Sequence, residues 1–200
     1  MKRIFDLIMS AGGILFLSPL MLAITVWIKL DSKGPVLFKQ ERVGKDGEIF
    51  TILKFRTMAE GSEKTGFHVT ENDSRITKSG DFLRKTSLDE LPQLFNILIG
   101  DMSIIGPRPT LKYQVDNYTD FQKRRLEVRP GVTGWAQVNG RNSLSWPERI
   151  KYDVWYVDNY SFWLDIKILW KTIFVWLRGE GIYAEKEKFI VGDDDNDKLG

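Results

Sequence analysis

Hydrophobic and polar positions divide the chain into segments of different character. From Leu7 to Ile28 there are 22 consecutive uncharged residues, flanked by Lys2, Arg3 and Asp6 on one side and Lys29 on the other. As a straight helix this run rises about 33 Å, enough to cross a hydrocarbon layer of roughly 30 Å. Ser18-Pro19 lies near its middle, and proline removes one backbone bond and presses on the preceding turn, so a kink is expected there. A bent helix can still span, or its halves can enter and leave by the same face, with the freed polar groups met by Ser18 or by neighbouring protein. Basic residues on both flanks, Lys33 included, disfavour export of either end. The expectation is therefore a re-entrant anchor over residues 1–30, broken at Ser18 and Pro19. No small-residue cleavage site follows the run, unlike a secretory signal peptide.

From Val36 to Met58 short runs of β-branched and aromatic residues flank Asp46-Gly47, a pattern that predicts a β-hairpin. Its second arm ends at Lys54 and Arg56, which fit a solvated edge or, turned inward, a phosphate site. Residues 60–80 are polar and glycine-containing and suit a loop, with His68 exposed in it. Leu91, Leu94, Phe95 and Leu98 then recur at helical spacing and predict a buried helical face. A second helix is expected over Leu111–Val128. Residues 162–177, FWLDIKILWKTIFVWL, fit either a core helix or an interfacial one with tryptophans near headgroups and lysines toward anionic lipid. The preceding membrane segment favours the interfacial form.

Composition narrows the chemistry. The chain of 200 residues has no cysteine and one histidine, which excludes disulfides, thiolate zinc sites and histidine metal clusters and leaves oxygen-liganded magnesium or manganese. The net charge of +2 includes an acidic tail, DDDNDKLG, so the body is more basic than the total, though without the concentrated stripe of a nucleic-acid binder. That tail, within residues 186–200, suits a solvated, disordered segment. Walker and dinucleotide glycine fingerprints are absent.

The adjacent carboxylates Asp89 and Glu90 are the leading candidates for chemistry. Locally they need none: Ser87 can cap a helix, with Glu90 as its capping-box partner and Asp89 favoured by the dipole. Beside cations they can instead attack a phosphorus centre and hold a divalent ion. Arg108, bracketed by Pro107 and Pro109, is restrained in a way that suits a diphosphate or an internal carboxylate. The turns at Arg129-Pro130-Gly131 and Asn139-Gly140-Arg141 can likewise bring donors to phosphate.

Three motifs in this order, TSLDELPQLFNIL, GDMSIIGPRP and RPGVTGWAQVNGRN, resemble the bacterial sugar transferases, the small monotopic phosphoglycosyl transferases. The likeness runs from about Ile4 to Leu177. It implies an α+β, mainly helical monotopic membrane domain with the re-entrant helix-break-helix, a small hairpin and amphipathic interfacial helices. The catalytic domain, residues 31–185, would lie on the cytoplasmic face of a bacterial inner membrane. The implied reaction moves a sugar-1-phosphate from a UDP-sugar to polyprenyl phosphate and releases UMP. Asp89 would be the nucleophile and Glu90 the magnesium ligand. Lys54, Arg84, Arg108 and Arg141 would contact phosphate or nucleotide. Asp153 would orient substrate or one of these bases, and Arg129 would serve phosphate or hold its own loop. Phospholipid is an implied partner, nucleic acid is not, and a homodimer is left open. A magnesium-dependent diphosphate hydrolase and a non-catalytic membrane scaffold are the competing readings.

Overall fold

The computed structural model describes residues 1–62 and 73–178. His68, the domain limit at residue 185 and the acidic tail lie outside the described residues. The fold is mainly helical, with one long apolar N-terminal helix and a small hairpin.

Helix α1 runs from Lys2 to Asp31 with Pro19 inside it. Pro19 has no N–H to give the carbonyl of Leu15, and the Ser18 hydroxyl donates to that carbonyl at 2.9 Å. Asp6, Ser10, Ile24 and Ile28 form a stripe at helical spacing that is buried against the body. Most other positions are apolar and exposed, Phe16 at 84%. Among the described residues α1 is the helix long and apolar enough to cross a membrane.

Both ends of α1 are fastened to the same body. At the start, Arg3 donates to the carbonyls of Ile97 and Leu98, and Asp6 accepts from the Ser103 hydroxyl and the Ile104 N–H, both at 3.0 Å. Lys2 pairs with Asp165 at 2.8 Å. At the far end, Asp31 accepts from the N–H and hydroxyl of Ser79, and Arg56 donates to the carbonyls of Ser32 and Lys33.

Strands β1 (Leu37–Val43) and β2 (Ile49–Phe55) form the expected antiparallel hairpin, with Phe38 opposite Lys54 and Arg42 opposite Phe50. Asp46 and Gly47 take positive φ in its turn. Helix α2 (Lys78–Thr86) shortens the expected loop at 60–80: Thr77 caps it by accepting from the Gly80 N–H. Gly80 packs so tightly that a Cβ would sit 1.9 Å from the Thr57 carbonyl oxygen.

Ser87 ends α2 in the left-handed region rather than capping a helix through its side chain. Leu88–Glu90 form a single 3₁₀ turn, and helix α3 (Gln93–Ile99) begins only after Pro92. The buried face of α3 is also rotated from the expected one. Gln93, Asn96 and Ile97 are buried while Phe95 is exposed. The Asn96 side chain explains the rotation, since it accepts from Leu53 N–H and donates to the Thr51 carbonyl, splicing α3 onto β2.

Short strand β3 (Ser103–Ile105) leads to α4 (Lys112–Val115) and α5 (Asp120–Lys123). These replace the single helix expected over 111–128, because Thr119 and Gln122 form a capping box that starts α5 afresh. Strand β4 (Gly131–Thr133) pairs in parallel with β3, followed by α6 (Trp135–Val138), α7 (Trp146–Asp158) and α8 (Phe162–Arg178). Leu164 and Ile168 of α8 join Ile105, Val138 and Tyr156 in one core cluster.

The outer side of α8 leaves Trp163 and Trp170 exposed, Trp163 at 78%. Phe162 packs edge-on against Phe5, so this apolar surface meets the start of α1. Of the lysines of α8, Lys171 departs from the lipid-facing expectation: it lies 4.8 Å from the Trp135 ring and donates to Asn139, which turns it toward protein, while Lys167 is exposed beside the same ring.

Candidate active site

The hairpin, the Ser87–Glu90 turn, the Gly106–Arg108 segment and α6–α7 enclose a cavity of about 750 Å³. Its lining includes Lys54, Arg84, Asp89, Glu90, Arg108 and Arg141, drawn from segments distant in the chain. Six of the eight expected catalytic and substrate residues therefore meet at one site. Arg129 and Asp153 are not in its lining. Arg129 donates from Nε to the carbonyl of Gly100, which ties down its own loop. Asp153, 1% exposed, accepts from Arg125 at 2.5 Å behind the cavity wall.

The two acids differ sharply. Glu90 accepts from Lys54 at 2.7 Å and from Arg108 at 2.5 and 3.4 Å, so its carboxylate is held between two cations. Burial opposes its ionisation, but Arg108 and Lys54 outweigh that and hold its carboxyl well below the usual carboxylate range. Among the described residues no hydrogen bond or ion pair engages the Asp89 carboxylate. Burial pushes its pKa up, with Glu90 adding to the rise, while Lys54 and the surrounding arginines oppose it.

Backbone geometry places the turn that carries both acids. Ser87 and Arg141 both occupy the left-handed region, with φ of 56° and 50°, and Arg141 donates to the Ser87 hydroxyl at 3.2 Å. Such a conformation costs energy in a residue with a Cβ and persists where the surroundings enforce it. Here it brings the residue before the 3₁₀ turn against a guanidinium from the opposite wall. Arg84 is aimed by Thr57, whose hydroxyl accepts from Nε at 2.8 Å.

Several functional candidates escaped sequence reasoning. Arg42 and Arg149 line the cavity, and burial, reinforced by the charge of Arg108, pushes each guanidinium down to about 10. Arg141 is lowered by the same causes. The period of two along β1 places Gln40 and Arg42 on the face that Lys54 shares, a signal that was available. Arg149 stands one helical turn before Asp153. The fully buried Arg125 donates to Asp153, to the Tyr118 hydroxyl at 2.7 Å and to the Arg108 carbonyl at 2.9 Å. Trp146 lies between Arg125 and Arg149, 5.5 and 5.7 Å from them, while Arg149 donates to the Arg141 carbonyl at 3.0 Å. One stack thus fixes the backbone of both Arg108 and Arg141.

A pocket crowded with mutually depressing cations, beside one engaged carboxylate and one unengaged carboxylate, suits a polyanionic substrate and an oxygen nucleophile. Comparison with known proteins agrees with that chemistry: a family model described as bacterial sugar transferase matches residues 1–179. The chain belongs to the bacterial sugar transferase family. Within it, the uncharacterized sugar transferase EpsL of Bacillus subtilis is 47% identical over 182 residues, covering 91% of this chain and 90% of EpsL. The undecaprenyl-phosphate galactose phosphotransferase of Salmonella typhimurium is 42% identical over 200 residues, covering 92% of this chain and 42% of that protein. The UDP-N-acetylgalactosamine-undecaprenyl-phosphate N-acetylgalactosaminephosphotransferase of Aeromonas hydrophila is 47% identical, covering 90% and 44% respectively. This sugar transferase chain therefore spans less than half the length of the latter two relatives.

Proposed function

We propose that this chain transfers a sugar-1-phosphate from a UDP-sugar to polyprenyl phosphate through a covalent intermediate on Asp89. The reading rests above all on the unengaged Asp89 carboxylate, its pKa raised by burial, standing in a cationic cavity next to a fully engaged Glu90. Raised basicity favours attack on phosphorus, and the surrounding cations favour the charge that gathers there.

In the first step an Asp89 oxygen bonds to the sugar-bearing β-phosphorus, the bond to the bridging oxygen breaks, and UMP leaves with that electron pair. Lys54, Arg84, Arg108 and Arg141 hold the diphosphate. In the second step a phosphate oxygen of the polyprenyl acceptor attacks the same phosphorus, and the acyl phosphate bond breaks to return the Asp89 carboxylate. Arg125 and Asp153 act behind this site, through the backbone of Arg108.

Family resemblance brings magnesium into this reading. Among the described residues no group of three or more His, Cys, Asp or Glu side chains could hold a metal by itself. Two adjacent carboxylates nevertheless fit an ion that takes its remaining ligands from phosphate and water. Glu90 would hold it only by giving up part of its pairing with Lys54 and Arg108, and when bound the ion would offset charge on the diphosphate oxygens.

The placement proposed is monotopic: residues 1–30 form the anchor and residues 31–185 the catalytic domain on the cytoplasmic face. Attachment of both ends of α1 to one body supports it, because a straight membrane-crossing helix would put its ends in different aqueous phases. Helix α1 continues through Ser18 and Pro19, and the Ser18 hydroxyl meets the carbonyl that Pro19 leaves unpaired, so the reading at that point is a proline-induced bend that keeps both ends on one side. A site at the surface lets a lipid-bound acceptor and a water-soluble donor reach one carboxylate.

The test incubates wild type and Asp89→Asn with magnesium, a panel of UDP-sugars labelled in the sugar, and polyprenyl phosphate in detergent. Wild type should release UMP, retain label on Asp89 when the acceptor is left out, and form the lipid diphosphate. The asparagine variant should do none of these. Undiminished lipid product from that variant would refute the mechanism, and label released to water by wild type would indicate a hydrolase.

A further inference from the structure

The cavity lining is dominated by cations, yet Gln137 of α6 also belongs to it. Both of its side-chain polar atoms, Nε2 and Oε1, are buried without a hydrogen-bond partner. An unpaired buried amide is a standing cost, and an apolar residue of the same size would avoid it. Neighbouring parts of this wall are held in place: Asn139 donates to the Trp135 carbonyl, Trp135 stacks on Trp155 at 5.0 Å, and Arg141 reaches Ser87, two residues before Asp89. The unpaired amide therefore sits on a fixed wall of the cavity that also carries Arg141, and a bound ligand would have to draw it out of its buried position.

The chemistry of a primary amide limits what it can recognise. Its N–H and C=O project side by side, so it is complementary to a partner presenting a donor and an acceptor side by side. Phosphate presents no donor, while the adjacent hydroxyls of a sugar or of the ribose both donate and accept and are the competing partner that the test below separates from the base. An N-acetyl group on a sugar is a trans amide, whose N–H and C=O point in opposite directions. The imide edge of uracil carries N3–H between two ring carbonyls and matches both atoms at once. We propose that Gln137 reads the nucleobase of the donor, its Oε1 accepting from uracil N3–H and its Nε2 donating to an adjacent ring carbonyl. This rests on the chain using a UDP-sugar. The cations would then hold the diphosphate while Gln137, a neutral group, orients the base.

The test measures binding of UMP and of 3-methyl-UMP, which lacks the N3 proton, to the full chain in detergent with magnesium by titration calorimetry. Wild type should bind UMP about tenfold more tightly than the methylated nucleotide, the worth of one net hydrogen bond in a water-poor site. In Gln137→Met, which keeps side-chain length, the two ligands should bind equally. Gln137→Asn, which withdraws the amide by one methylene, should narrow the contrast. Scoring the ratio between ligands within each protein separates this effect from a general loss of folded protein. A contrast in Gln137→Met as large as in wild type would overturn the inference alone, as would a change confined to preference among UDP-sugars. Failure of wild type to bind UMP would remove the proposed function together with the inference.

Discussion

Arg108 grips Glu90 through both guanidinium nitrogens, with Nη2 2.5 Å from Oε1 and Nη1 3.4 Å from Oε2, while the neighbouring Asp89 is left ungripped. The pairing separates two carboxylates that are adjacent in sequence. Glu90 takes the direct bonds of Lys54 and Arg108, and Asp89 feels the same cations without a bond to either.

Glu90→Gln should therefore disable the enzyme without exposing a new cavity. It leaves Lys54 and Arg108 without their counter-charge, and the stability cost should be roughly 1–3 kcal/mol, toward the lower end because Arg108 is half-exposed. Transfer should fall on the order of 10²-fold or more. Thermal melting together with UMP release checks both, and wild-type turnover in this variant would show that Glu90 has only a structural role.

Asp89→Asn should have the opposite effect on stability. Because burial raises the folded-state pKa of Asp89, the folded protein binds more protons than the unfolded chain between the unfolded value and the raised one. Stability from this group therefore falls as pH rises through that window, and at neutral pH the buried charge is a burden. A neutral asparagine removes the burden, so Tm at pH 7 should rise although transfer is lost. Glu90, with its pKa lowered, contributes stability above the unfolded value of about 4.5 that is lost only as pH falls toward its folded value. Melting curves for both variants from pH 4 to 8 test the contrast. In the same range wild-type kcat/KM should decline on the acid side as Asp89 takes up its proton, at a higher pH than for an ordinary aspartate.

Local patterns made much of this fold legible, and failures arose where distant contacts decided the outcome. The uncharged run gave α1, and alternation about Asp46-Gly47 gave the hairpin. Long motifs, rather than any single residue, brought Lys54, Arg84, Asp89, Glu90, Arg108 and Arg141 to one cavity. The capping-box reading of Ser87 and Glu90 failed because Glu90 has stronger partners in Lys54 and Arg108, 36 and 18 residues away. With that box lost, Ser87 terminates α2, and the carboxylates sit on a tight turn instead of a helix start. The face of α3 turned because Asn96 satisfies the β2 backbone, which apolar spacing does not register. Arg125 and Trp146 were invisible for the same reason, since their value lies in the carbonyls of Arg108 and Arg141 that the stack positions.

Arg125 and Asp153 form a buried pair with both side chains 1% exposed. Arg125→Met leaves Asp153 uncompensated and should cost roughly 3–5 kcal/mol, whereas Arg125→Met with Asp153→Leu should recover much of it. The double variant still lacks the donor to the Arg108 carbonyl. A purely structural pair predicts recovered activity along with recovered stability. A positioning role predicts a stable enzyme whose kcat stays low, and chemical denaturation beside steady-state kinetics separates the two.

The membrane placement is open to a direct test because the chain has no cysteine. One variant carries a cysteine appended before Met1 and another carries Lys33→Cys, just past the end of α1, where the residue is exposed. A monotopic anchor puts both on the cytoplasmic side. A membrane-impermeant maleimide should therefore label neither in right-side-out vesicles and both in inverted ones. A straight spanning α1 predicts opposite patterns for the two positions. It would also require breaking the bonds of Asp6 to Ser103 and Ile104 or those of Asp31 to Ser79, because these partners belong to the same body. Replacing Pro19 by alanine restores the missing N–H and relieves the clash that favours a bend, so it should shift the N-terminal cysteine toward external labelling while the thiol of Lys33→Cys stays inside. Persistence of internal labelling at both positions in Pro19→Ala would show that the contacts at the two ends of α1, rather than the proline, hold the anchor on one side.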